Sequence, residues 1–138
     1  MNNDFKNKLE MLQAANPELK LLAVSGGVWA SSPVTLRPQL ILSDWQVFEV
    51  QRPGRPMRTR HFAGYNVTDR EGRASSAIVT FDVATGRGVT VSGRVYELRG
   101  RTGFNADGEY VWHRWLSINS AEDVVDVTAE IKSSMEQK

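Results

Sequence analysis

The chain contains no cysteine, which excludes a disulfide framework, thiolate metal sites and a cysteine nucleophile. Its only histidines are His61 and His113, so a zinc site built on two imidazoles would need both. No apolar run approaches the roughly 20 residues that span a bilayer. The opening Met1-Asn2-Asn3-Asp4-Phe5-Lys6 lacks the basic and then continuously apolar pattern of a secretory leader. These absences set the expectation of a cytoplasmic protein with no membrane contact, no metal and no cofactor. Internal repeats and low-complexity stretches are also missing. Charge of one sign is scarce: 17 basic against 16 acidic residues leave +1, well short of the basic footprint of a dedicated nucleic-acid module.

What is present suffices for one core. A length of 138 residues with 41% hydrophobic side chains is a single domain, 1–138. Its charge is unevenly placed. Residues 1–36 hold three lysines and three acids, residues 37–114 hold twelve arginines, no lysine and eight acids, and residues 115–138 hold two lysines and five acids. The middle is therefore basic through arginine alone, and 120–138 forms an acidic tail. The plainer reading of arginine in place of lysine is GC-rich codon usage. Chemically, though, a guanidinium is a planar fork that grips carboxylate or phosphate with paired bonds and stacks on rings.

The first 24 residues read as a helical region. Asn2 or Asn3 can cap a helix whose Phe5, Leu9 and Leu12 share a face. Asn16-Pro17 restarts a second helix through about Leu22, unless Leu19 to Val24 begins a strand. Residues 28–42, interrupted by Pro33 and Pro38, read as an edge strand or an extended loop. Residues 44–98 predict an antiparallel meander: Trp45–Gln51, a turn at Pro53-Gly54, Met57–Val67, a turn at Asp69–Gly72, Ser75–Val83, a turn at Thr85–Gly88, then Val89–Leu98. In the last segment the apolar phase changes at Gly93, where a β-bulge would produce it.

An amphipathic helix is expected over about 106–119, with Val111, Trp115 and Ile118 together, Trp112 and Leu116 beside them, and Tyr110, His113, Arg114 and Ser117 opposite. The tail predicts a strand near Val124–Thr128 and then a frayed helix. The fold class is α+β: an antiparallel sheet of four to six strands with an N-terminal helix and the 106–119 helix packed on it.

The candidate contact is the hairpin bearing Arg52, Arg55, Arg58 and Arg60, followed by His61. Alternation puts Arg58 and Arg60 on the face of Phe62. Guanidinium groups beside rings can hold a phosphate backbone and stack on a base; alternatively the arginines pair with Glu49, Asp69 or Glu71. Trp112 reads first as core. If uncovered, it would anchor a protein partner. Either histidine would need an orienting acid for catalysis. No catalytic residue is assigned. The Gly86-Arg87-Gly88 and Gly93 pattern misses the dinucleotide fingerprint and fits turns instead.

The stretches Ser75-Ser76-Ala77-Ile78-Val79, Ser92-Gly93-Arg94-Val95-Tyr96 and Tyr110-Val111-Trp112-His113-Arg114-Trp115 resemble small uncharacterised proteins of proteobacterial genomes and mobile elements. That resemblance implies a bacterial cytoplasmic setting and no particular site residues. The expectation drawn from all of this is a non-enzymatic binding or regulatory module. Its arginine-rich hairpin would contact nucleic acid or an acidic protein. The alternatives are a protein–protein inhibitor or regulator of a mobile element, with a homodimer open to it, and a small hydrolase or transferase using His61 or His113.

Overall fold

A computed structural model describes residues 20–24, 27–31, 34 and 36–136. Among them the elements run β1 (Lys20–Val24), β2 (Gly27–Ser31), β3 (Leu40–Gln51), β4 (Thr59–Asn66), β5 (Glu71–Ala74), β6 (Ile78–Asp82), β7 (Arg87–Thr90), β8 (Val95–Leu98), α1 (Ala106–Ile118), β9 (Glu122–Asp126) and α2 (Thr128–Glu136). The class is α+β, as expected. The sheet is mixed, however, not purely antiparallel: the order is β1-β2-β6-β7-β8-β3-β4-β5, with β9 also beside β3. Two antiparallel meanders, β3-β4-β5 and β6-β7-β8, replace the single expected one. They join because β8 lies parallel to the start of β3 (Leu40 opposite Tyr96). A second parallel contact joins β2 to β6.

Several boundaries differ from the sequence expectation for identifiable reasons. The phase change at Gly93 is a chain reversal. Gly93 has φ +87°, and its N–H donates to Thr90 at 2.8 Å, so Val89–Leu98 divides into β7 and β8. The turn expected at 69–72 sits earlier, because Arg70 takes a positive φ of 57° and Glu71 already opens β5. Of the two readings of residues up to Val24, the strand holds: Lys20–Val24 is a strand paired with Gly27–Ser31, so no helix runs through Leu22. The expected helix carrying Phe5, Leu9 and Leu12 lies outside the described residues. The tail follows its expectation of a strand and then a helix.

One irregularity positions everything that follows. Asp44 has φ +45°, and the β3–β4 register shifts between Ser43 and Gln46. An aspartate tolerates this left-handed backbone because its short side chain bonds locally. The shift inverts the strand's phase. Leu40, Leu42, Trp45 and Val47 all enter one core with Phe62, Phe81, Tyr96 and, from the end of the chain, Val127 and Ile131. On the opposite face Val50 and Ala63 pack with Trp112, flanked by Phe48, Trp115 and Leu116.

Helix α1 lies on this second face, over β4 and β5. Asn105 caps it, its side-chain oxygen accepting from the Gly108 N–H at 2.9 Å, and Asp107 and Glu109 in the first turn suit the helix dipole. The approach is close enough to need glycine. A Cβ on Gly72 would come within 2.1 Å of the Asp107 carbonyl, and one on Gly108 within 2.8 Å of the Gly64 carbonyl. This contact rotates the helix from the expected arc. Gly108 and Trp112 are its buried residues, while Ile118 stays 71% exposed.

Candidate functional site

The arginine-rich hairpin does not form a continuous positive surface. Arg58 and Arg60 do share a face with Phe62, but that face is the interior. Phe62 is fully buried in the main core. The Arg60 side chain is 3% exposed and donates to Glu49 at 3.0 Å and to Glu130 of α2 at 2.7 Å. Arg58 donates to the other Glu49 oxygen at 2.9 Å and to the backbone carbonyls of Glu49 and Asp123. Two of the four guanidiniums are thus neutralised by the protein's own carboxylates. Burial and backbone bonds leave them little to offer an acidic partner.

Arg52 and Arg55 remain part-exposed at the hairpin tip. Arg52 lies over the Trp115 ring, 5.6 Å from its centroid. Trp115 stacks on Trp112 at 5.1 Å and 8°, and Trp112 on Phe48 at 4.7 Å and 12°. A guanidinium, two indoles and a phenyl ring therefore run in one row between α1 and β3. Partial burial, and then the neighbouring Arg55 charge, lower the Arg52 pKa. Trp112 is 3% exposed, so it is core, and the partner-anchor reading of this residue is corrected.

His61 is fully buried beneath α1, its ring 4.3 Å from that of Trp115. Nδ1 lies 2.9 Å from the Ser75 carbonyl, and Nε2 lies 2.7 Å from the Thr59 hydroxyl. A carbonyl only accepts, so Nδ1 carries the proton and Nε2 accepts from Thr59. Burial pushes the His61 pKa down to about 3, against the raising effect of the Ser75 bond, and the Arg52 and Arg55 charges add to the depression. Such a ring is a neutral packing element with both nitrogens already engaged.

His113 is placed differently. It stands exposed on α1, with Nε2 3.3 Å from Glu109 one turn earlier, and both residues line a cleft of about 410 Å³. The cleft lies on the outer face of the sheet, where α1 leaves β3 incompletely covered. Phe48 and Ala63 form its floor, Trp112 and Leu116 one wall, and Phe104 and Val124 the other. Asp44, Gln46, Asn105, Glu109 and His113 are its polar members. Asp44 pairs with Arg101 at 3.1 Å, and Gln46 donates to Asp126 at 3.3 Å. Phe104 is 69% exposed and Val124 42%, so apolar surface continues to the mouth. The cleft was not legible in the sequence. Its one available signal was the phase inversion of β3, which exposes Asp44, Gln46 and Phe48 together on the α1 side.

The His113–Glu109 pair meets the geometric condition set by the hydrolase reading, an acid beside an imidazole in a cleft. None of the described residues lining the cleft carries a hydroxyl, thiol or amine that the pair could activate. Among the described residues no group of three or more His, Asp or Glu side chains is placed to hold a metal ion, and no helix is long and apolar enough to cross a membrane. No protein-family model, curated protein or solved structure matches the chain.

Proposed function

We propose that the protein is a non-enzymatic binding module and that its contact site is the cleft between α1 and β3. The carrying observation is Phe104, a large ring left 69% exposed at the mouth of an apolar cleft of about 410 Å³. That volume is in the lower range of small-ligand pockets, which combine an apolar lining with a few polar groups. It suits one or two large side chains of a partner. Its polar members, Asp44, Gln46, Asn105, Glu109 and His113, would orient a ligand held by the apolar lining.

The test is a titration with N-acetylphenylalaninamide followed by amide and indole shifts. Saturable changes at Gly64, Gly108 and the Trp112 indole, lost in Val124→Trp, which fills the cleft from its exposed wall, support the reading. Changes scattered over the surface, or unchanged in Val124→Trp, overturn it.

A second reading keeps an acidic partner, at the hairpin tip. Its support is that Arg52 and Arg55 both stay part-exposed at the tip, where an anion between them would relieve their like charge. Filter binding of single-stranded DNA at two salt concentrations tests it. Retention that weakens with salt and is lost in Arg55→Ala favours it, and absence of retention at low salt removes it.

A further inference from the structure

Resting on the cleft reading, we propose that the side chain entering the cleft is an arginine on the surface of a partner protein. The row of rings between α1 and β3 is capped at one end and open at the other. At the capped end the Arg52 guanidinium lies 5.6 Å from the Trp115 centroid. At the open end Phe48 stacks on Trp112 at 4.7 Å and on no further ring among the described residues, and both line the cleft. A guanidinium is planar, weakly hydrated and stacks on ring faces. Its attraction to a ring grows as water is excluded. The chain already makes on Trp115 the contact that the other end of the row offers to a partner.

Charge selects a cation. Asp44 and Glu109 line the cleft, and among the described residues no lysine or arginine does. Each carboxylate is engaged at one oxygen. Arg101 holds Asp44 Oδ1 at 3.1 Å, and His113 Nε2 lies 3.3 Å from Glu109 Oε1. Gln46 spends its Nε2 on Asp126, which leaves its carbonyl oxygen to accept. Asp44 Oδ2, Glu109 Oε2 and Gln46 Oε1 are all acceptors, and the fork of N–H donors on a guanidinium answers such a set. The positive end of α1 also abuts the cleft. There, however, Asn105 takes the Gly108 N–H at 2.9 Å, and Asp107 and Glu109 fill the first turn, outweighing a helix end worth about half a charge. The methylene stem of an arginine suits the apolar mouth formed by Phe104 and Val124.

The experiment uses the full chain and N-acetylargininamide, read by amide and indole shifts. N-acetylcitrullinamide is the uncharged near-isostere, and N-acetyllysinamide is a cation without the planar fork. Expected is saturable binding of the arginine probe at Gly64, Gly108 and the Trp112 indole. It should be at least about fivefold tighter than that of the citrulline probe and should weaken with salt. The lysine probe should fall between the two. Asp44→Asn removes a charge but keeps a residue type that tolerates φ +45°. That variant and Glu109→Gln should each narrow the preference for arginine over citrulline by about threefold. Arg101→Ala, which removes an 88%-exposed competitor from Asp44, should widen it.

Equal binding of the arginine and citrulline probes overturns the proposal. So does a lysine probe as tight as arginine, or a preference that Asp44→Asn and Glu109→Gln both leave intact. Free arginine binding more tightly than the capped probe assigns the site to the amino acid and overturns the protein partner. Self-association of the chain that the arginine probe dissolves assigns it to a second copy, with the same effect. If N-acetylphenylalaninamide enters the cleft but the arginine probe binds no better than citrulline, the guanidinium inference fails and the cleft reading stands. If no probe binds, both fail.

Discussion

The buried imidazole makes a quantitative prediction about acid stability. His61 is fully buried, and its pKa in the fold is about 3, whereas the unfolded chain presents an ordinary imidazole near 6.5. The pKa is depressed on folding, so the unfolded state takes up the proton first. Stability is therefore full above about pH 6.5 and declines as the pH falls toward 3. Between pH 7 and pH 5 this linkage removes about 2 kcal/mol, since nearly the whole drop below 6.5 counts at 1.36 kcal/mol per unit.

Asp82 and Glu97 add little in that window. Burial alone would raise Asp82 and Glu97, but bonds from Val34 and Thr85 hold Asp82 below its usual range, and Arg87 and Arg99 do the same for Glu97. Both titrate at lower pH. Urea unfolding followed by tryptophan fluorescence at pH 7, 6 and 5 measures the effect. His61→Gln, which cannot titrate, should cost about 1–2 kcal/mol at pH 7 through its lost hydrogen bonds. The gap to the parent should close by about 2 kcal/mol at pH 5. A parent and variant that lose stability in parallel, or a His61 ring signal that titrates near 6.5, would refute the reasoning.

Other consequences follow from the same packing. Gly72→Ala drives a Cβ to 2.1 Å from the Asp107 carbonyl, a backbone group that must shift, and should destabilise by about 3 kcal/mol, read as a lower urea midpoint. Glu49→Ala removes the carboxylate shared by Arg58 and Arg60, whose own exposure is 5%. It should cost about 3 kcal/mol by leaving buried positive charge undercompensated. Glu130→Ala, at a half-exposed carboxylate, should cost under about 1 kcal/mol; equal costs in thermal unfolding would contradict the burial argument. Asn105→Ala deletes the cap on Gly108 and should lower α1 protection in hydrogen exchange by about 1 kcal/mol.

Local chemistry carried much of the architecture. Turn glycines and alternating β-branched residues marked β3, β4, β6 and the β7–β8 region. Asn105 with its following acids marked α1. The strand-then-helix order of the tail was legible in Val124–Thr128 and the residues after it. What failed was everything that depends on which chain lies opposite. The parallel β3–β8 contact leaves no local trace, because parallel pairing is set by connectivity rather than by the strand's own sequence. Gly93 carried an ambiguous signal, since a glycine at a phase change suits a bulge and a reversal equally. An apolar arc on a helix carries no mark for a glycine such as Gly108. Its contact with Gly64 turns Trp112, rather than Val111 and Ile118, toward the sheet.

The arginines show the same limit at the level of function. Four within nine residues looked like a surface because their neighbours in sequence are charged and turn-forming. Alternation placed Arg58 and Arg60 beside Phe62 correctly, but the burial of that face is decided by α2, seventy residues later, through Glu130 and Ile131. Once α2 closes this end of the core, Glu49 must answer two guanidiniums, and half of the expected cationic surface is consumed inside the fold. The opposite face has the reverse history. The backbone inversion at Asp44 turns Gln46 and Phe48 toward α1, and α1, drawn down onto Gly64 and Gly72, covers β4 and β5 but leaves β3 partly open. Residues that the sequence presents as ordinary strand become the floor of a cleft, while Arg58 and Arg60, which it presents as contacts, become structural ion pairs.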